Sequence, residues 1–348
     1  LLIKLIDLNE VLALRILNGP KQFDEPERKK MKIVFAMCAA LGFAAPVMAA
    51  EPPMSELNQQ APGYYRMMLG KLRITAVSDG TVTVPLDKLL THISPQELQR
   101  RMAAEAMTSQ AETSINAFVI DNGQQRILVD AGAGDLFGHK GGHLLDNLAA
   151  AGYPANTIDA VLLTHIHADH SGGVSRAGKL AFPNAMVYVD KRDADFWLNP
   201  NNANKVEASQ RHTFAESAQT IGPVAAANRL KTFTAPATLL NSVHAMAGAG
   251  HTPGSVIYRV ESEGQTLMLW GDIIHAKAVQ LPDPQVAIHF DVNQQQAIDT
   301  RKRVLAKAAD QGAWVAAAHI AFPGLGHVMR DGQGYRWVAA NYTTQLAP

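Results

Sequence analysis

The 348-residue chain has a single cysteine, Cys38, so no disulfide can form within it and no cysteine cluster can hold a metal. Neither sign of charge is in excess, since Lys and Arg total 31 and Asp and Glu total 31. Without a basic surplus the chain has no electrostatic reason to seek nucleic acid, whose phosphates are met by Lys and Arg. No uninterrupted apolar run reaches the ~20 residues that span a bilayer. A G-x-S-x-G elbow is missing too, which leaves a serine nucleophile with no motif behind it. The chain contains no internal repeat and no low-complexity segment.

The one cysteine lies in a stretch of distinct character. Met31-Lys32 leads into the apolar residues 33–45, then Pro46 and Val47-Met48-Ala49-Ala50. A charged start, an apolar middle and small residues at the end read as a signal peptide over 31–49, cut near Ala49 or Ala50. Residues 1–30 then read as an upstream extension or misassigned start. Met37 before Cys38 is too large for a lipoprotein cleavage site, so no lipid anchor is expected. Removing 1–49 takes away seven Lys and Arg and five Asp and Glu, leaving 24 against 26, so the mature chain stays close to neutral. The expected location is periplasmic or secreted.

In place of thiols the chain has histidine in a metal-binding pattern. Thr164-His165-Ile166-His167-Ala168-Asp169-His170-Ser171-Gly172-Gly173 sets four metal-capable side chains within six residues, directly after the apolar run 160–163. The run reads as a buried strand and the glycine pair as a tight turn. At the mouth of that turn His165 and His167 share one face, while Asp169 and His170 can turn to another, which divides the ligands between two neighbouring metals. Imidazole with carboxylate is the donor set of zinc and related borderline cations. A two-metal site needs about seven ligands, and three further stretches qualify. Gly250-His251-Thr252-Pro253-Gly254 sets a histidine in a Gly/Pro turn before a strand. Another apolar run ends on Gly271-Asp272, and a third ends on Ala318-His319.

H-x-H-x-D-H, then G-H-T-P-G, G-D and A-H, in this order, resemble the metallo-β-lactamase fold superfamily. From Ala61 to Tyr342 the chain is similar, within it, to methyl parathion hydrolase and its lactonase and arylesterase relatives, on the stretches 61–66, 78–81, 194–198, 278–280 and 318–324. The resemblance implies an α/β fold, the metallo-β-lactamase αββα sandwich. It implies two divalent ions of zinc type, one held by His165, His167 and His251, the other by Asp169, His170 and His319, with Asp272 bridging. Asp272 is then the expected catalytic residue, orienting the attacking hydroxide or receiving its proton. Phe137, Trp197 and Phe214 match aromatic substrate-binding positions of the group, and Asp130 would support the metals from behind. His275 can reach the site from three residues past Asp272, or serve the structure. His92, His139, His143, His212, His244, His289 and His327 lack motif context and read as structural or surface residues.

Strand-like runs at 72–77, 115–120, 126–129, 160–163, 186–189, 256–260, 266–269 and 314–317 alternate with helical stretches at 143–151, 190–198 and 294–309, an α/β pattern. Ligands from both halves must converge, so 71–348 reads as one hydrolase domain, preceded by an N-terminal arm over 50–70. In the last helix Ile298, Leu305 and Ala308 can face inward, with Arg301, Lys302 and Lys307 left to solvent. Gly132, Gly134 and Gly138 follow a strand as in a dinucleotide site, but their spacing is G-x-G-x-x-x-G and no acidic strand end follows about 20 residues on. Nucleotide binding is not expected there.

The expected chemistry is attack by a metal-bound hydroxide on a carbonyl carbon or a phosphoryl phosphorus. Lactones or aryl esters are the expected substrates, with phosphotriester (methyl parathion-type) hydrolysis as a further capacity. A β-lactam hydrolase of the same fold and a non-catalytic metal-binding protein are the alternatives, the latter disfavoured because structural zinc sites are closed. Expected partners are a small-molecule substrate, no nucleic acid and no stable membrane anchor after processing, with a homodimer left open.

Overall fold

Seven strands that follow one another in sequence lie side by side in the same order in a first sheet: β1 (Tyr64–Leu69), β2 (Leu72–Pro85), β3 (Gln110–Asp121), β4 (Arg126–Val129), β5 (Ala160–Leu162), β6 (Met186–Asp190) and β7 (Leu230–Phe233). A second sheet repeats the arrangement with β8 (Ala237–Leu239), β9 (Val243–Ala247), β10 (Val256–Ser262), β11 (Gln265–Leu269), β12 (Trp314–Ala316), β13 (Leu325–Asp331) and β14 (Gly334–Ala339). Pairing is antiparallel from β1 to β4 and parallel from β4 to β7. In the second sheet only β11 and β12 run parallel. The computed structural model describes residues 60–240 and 242–346; the signal peptide and extension read from the sequence lie outside the described residues.

Side chains alternate between the faces of a strand, and the apolar sequence uses both faces. In β4 Ile127 and Val129 point to the layer between the sheets, while Leu128 points outward; in β11 Leu267 and Leu269 point in and Met268 out. Helices cover both outer faces. Helices α2 (Leu144–Ala150), α3 (Lys191–Trp197) and α4 (Thr213–Ala226) cover the first sheet with Leu148, Trp197 and Ile221, and α5 (Gln294–Asp310) covers the second with Val304, Leu305 and Ala308. The layers are those of the expected αββα sandwich. A further helix, α1 (Pro95–Ala104), packs Leu98 and Met102 into a smaller cluster with Val279 and Ile288.

Two departures from the sequence reading concern particular residues. Tyr64–Leu69, inside the stretch read as an arm, pairs along its whole length with β2, from Tyr64 opposite Val77 to Leu69 opposite Leu72. Arg301, read as solvent-facing, is 1% exposed. Its position three residues after Ile298 and four before Leu305 puts it on the buried stripe of α5. Burial is tolerated because Nε donates to the Ile273 carbonyl (2.8 Å) and Nη1 to those of Val286 (2.9 Å) and Pro284 (3.2 Å), with Asp291 Oδ2 at 3.7 Å from Nη2. Lys302 is exposed and Lys307 half-buried.

Two local features seat the loops that carry the site. A bulge between Ser78 and Gly80 takes Asp79 out of the ladder, and its buried carboxylate accepts the N–H groups of Ala133 (2.8 Å), Gly142 (3.0 Å) and Leu144 (3.1 Å). That anchors the loop after β4. The glycines of that loop resemble a phosphate-binding turn but serve packing instead: a Cβ on Gly134 would stand 2.7 Å from the Gly172 carbonyl oxygen, and one on Gly173 would strike that of Ala131. The loop after β4 and the turn after the histidine motif can therefore lie directly against each other.

Candidate metal centre

Strand ends deliver most of the donors. His165 to His170 follow β5, Asp272 follows β11, His319 follows β12, and His251 lies in the turn before β10. Both sheets thus contribute at one rim of the sandwich, and all seven expected ligands come together. His165 Nε2 is 3.1 Å and His251 Nε2 3.0 Å from His167 Nδ1, with Asp272 Oδ2 3.1 Å from His251 and 3.6 Å from His165. Around a second point His170 Nε2 and His319 Nε2 are 3.3 Å apart, and Asp272 Oδ1 is 2.9 and 3.0 Å from them. Asp169 Oδ2 completes that set at 3.4 Å from His319. The two oxygens of Asp272 divide between the two points, as a bridging carboxylate requires.

The protons on these rings show why cations fit. His170 Nδ1 donates to Asp130 (2.9 Å), His251 Nδ1 to Asp291 (2.9 Å) and His319 Nδ1 to the Ser114 carbonyl (2.9 Å). Each partner fixes a tautomer whose Nε2 carries a lone pair toward the centre. Lone pairs and carboxylate oxygens then face one another at about 3 Å, and Asp272 Oδ1 is buried with no hydrogen-bond partner. Donors bound at ~2.0–2.1 Å to a tetrahedral cation stand roughly 3.3 Å apart, so the spacing fits a divalent cation at each point. Asp130 makes this possible from a left-handed backbone, φ 62°, with Oδ1 accepting Thr164 N–H at 2.7 Å.

Electrostatics agree. Burial holds His165 and His167 well below the ordinary imidazole range, and their histidine neighbours add to it. Burial works the same way on His251 but is outweighed by Asp272 and Asp291, which push it up to about 9. For Asp272 burial is in turn outweighed by His170 and His319, which hold it well below the usual carboxylate range. The carboxylates thus draw positive charge toward the centre, while burial keeps His165 and His167 neutral.

A cleft of about 320 Å³ opens over the donors. Its lining combines His167, Asp169, Asp272, His275 and His319 with the apolar side chains of Val82, Val84, Pro85, Leu89, Phe137 and Phe290 and the polar ones of Gln210, His212, Thr213 and Glu216. Phe137 lines the cleft. Trp197 and Phe214 do not. They belong to the core between the helices and the first sheet, with the Trp197 ring 5.2 Å from His167 on its far side and 4.9 Å from Phe214. The inward faces of α3 and α4 put them there. His275 does reach the site, its Nε2 2.9 Å from Asp272 Oδ2, its ring stacked on His319 at 5.5 Å, and its buried Nδ1 without a protein partner. His212 and His289, both without motif context in the sequence, line the cleft, and His289 is held by Glu207 at 3.0 Å.

A family model described as Metallo-beta-lactamase superfamily matches residues 111–319, which include all seven donors. The chain belongs to the metallo-beta-lactamase superfamily. Within this superfamily it is similar to AbOPH, described as a hydrolase, with 36% identity and a TM-score of 0.78 over 82% of this chain and 100% of that one. It is also similar to AidC, described as a dizinc quorum-quenching lactonase in complex with a product, N-hexanoyl-L-homoserine, at 26% identity and TM-score 0.76, covering 81% and 99% of the two chains. Exodeoxyribonuclease WalJ of Streptococcus pneumoniae shares 34% identity over 103 residues, 29% of this chain and 35% of that protein. The match thus spans about a third of that curated relative's length. Family and geometry together make the chain a metal-dependent hydrolase of the superfamily.

Proposed function

We propose that the protein hydrolyses lactones or aryl esters with apolar substituents, using two zinc ions, and that the same site cleaves phosphotriesters. The observation that carries this reading is the openness of the ligand set toward apolar side chains: His167, Asp169, Asp272 and His319 all face the cleft that Phe137 and Phe290 line. A structural zinc site is closed. The likeness to a dizinc lactonase supports the carbonyl substrate.

Divalent ions bound here would supply Lewis acidity and lower the pKa of water toward ~7. The chain's own residues do the rest. Asp272, whose Oδ2 accepts from His275 at 2.9 Å, is placed to orient the attacking water. His275 lines the cleft and holds Asp272 in place. The apolar lining contributes binding that depends on the substituent, while His167 and His319, through the ions they would hold, would act on oxyanion charge common to every substrate. We further propose export, with the mature chain acting in the periplasm or outside the cell as a protein without a membrane anchor; the charged, apolar and small-residue sequence over 31–49 supports it.

Metal-reconstituted mature protein assayed on acyl lactones, aryl esters, phosphotriesters and a β-lactam tests the substrate reading. Lactone or aryl ester turnover should exceed that of the β-lactam by orders of magnitude. Turnover of the β-lactam alone would replace this reading with the other.

A further inference from the structure

Asp193 is fully buried in the first turn of α3 and does not line the cleft. Its two oxygens serve two different loops. Oδ2 accepts the Ile166 N–H at 2.8 Å, and Oδ1 accepts the Gly254 N–H at 2.6 Å. Ile166 lies between His165 and His167, and Gly254 closes the turn that begins at His251. One carboxylate therefore ties together the two loops that supply all three imidazoles of one metal position. The ligands of the other position are held elsewhere, His170 by Asp130 and His319 by the Ser114 carbonyl.

Two features set this apart from an ordinary structural tie. No salt bridge reaches Asp193 among the described residues, and burial pushes its pKa up to about 6 against the two N–H groups and the Thr252 hydroxyl, which favour the charged form. A carboxylate without a cation is a costly buried group, yet an amide would not replace it, because asparagine has one acceptor oxygen and would turn N–H against N–H at the second loop. The turn is also cut to fit. A Cβ on Gly254 would lie 2.9 Å from the Asp193 Cβ and would strike its backbone nitrogen, so only glycine lets the two approach.

We propose that Asp193 is a positioning residue for one metal position, that of His165, His167 and His251, and that it tunes the affinity of that position separately from the one held by Asp169, His170 and His319. The proposal rests on the two-metal reading of the site. Partners behind metal ligands commonly change affinity about 10- to 100-fold when removed.

Metal-free protein titrated with cobalt(II), followed by its visible absorption and by competition with a chromophoric chelator, tests the proposal. Two backgrounds isolate the positions: His319→Ala leaves the first and His251→Ala leaves the second. Asp193→Asn should weaken cobalt binding about 10-fold or more in the His319→Ala background and less than about twofold in the His251→Ala background. Asp130→Asn should instead weaken binding in both backgrounds, because the Asp130 carboxylate holds His170 directly and His165 through Thr164. Equal weakening in both backgrounds by Asp193→Asn, or none in either, overturns the proposal. Far-ultraviolet circular dichroism of each metal-free variant checks folding; should Asp193→Asn not fold, Gly254→Ala, which pushes the second N–H off the carboxylate, is read by the same titration with the same expected pattern. Wild-type protein that binds fewer than two cobalt ions would refute the two-metal reading itself, a different result from an unaltered Asp193→Asn.

Discussion

Replacing Trp197 with alanine empties a site that is fully buried, where the indole ring centroid lies 5.2 Å from that of His167 and 4.9 Å from each of Phe196 and Phe214. The indole Nε1 has no hydrogen-bond partner, so the loss is one of packing alone. Trp→Ala substitutions in cores cost about 3–5 kcal/mol. At roughly 2–4 °C per kcal/mol for a domain of ~150–250 residues, the Tm of the metal-loaded protein should fall by about 6–20 °C. Because Trp197 backs His167, the vacancy loosens a donor that every substrate needs, and kcat/KM for an acyl lactone and a phosphotriester should drop together. Thermal unfolding and steady-state kinetics on the two substrates provide the assay. A Tm within about 2 °C of wild type, with a changed ratio of the two efficiencies, would put the indole in the substrate wall and refute the packing argument.

Phe137→Ala should behave in the opposite way, shifting the lactone-to-phosphotriester ratio by about 1–3 kcal/mol in kcat/KM with little change in Tm; an unchanged ratio would remove Phe137 from the specificity wall. Arg301→Met keeps much of the stem but leaves the carbonyls of Ile273 and Pro284 without a donor, that of Val286 with Gln280 alone, and Asp291 without its cation. Urea unfolding should show a loss of about 3–5 kcal/mol, and a loss below about 1 kcal/mol would contradict the role assigned to this buried charge. Asp272→Ala should remove most turnover and lower metal content by at least one ion per chain, measured on purified protein whose circular dichroism is unaltered; full occupancy would exclude the bridge.

The ligand motifs were legible because each is local: a buried strand runs straight into its donors, as 160–163 runs into His165 and 314–317 into His319. The strands and helices around them were legible for the same reason, through apolar period and turn residues. Arg301 was misread since helical period alone cannot show that a loop, 273–291, brings carbonyls and Asp291 over the helix. Trp197 and Phe214 matched positions in relatives, but whether an aromatic faces the cleft or the core depends on the packing of α3 against α4, which no single stretch encodes. Asp193 gave no signal at all. Its partners are backbone N–H groups 27 and 61 residues away, invisible to any pattern of side chains. His289 and Glu216 reached the cleft by the same kind of long-range folding.

Titrating metal-free protein with zinc while recording acyl-lactone hydrolysis tests the central claim most directly, because it asks whether two shared ions at Asp272 do the chemistry. Turnover should rise to its plateau at two zinc ions per chain and disappear again on chelation. A plateau at one ion, or turnover retained by protein shown to be free of metal, would contradict the account.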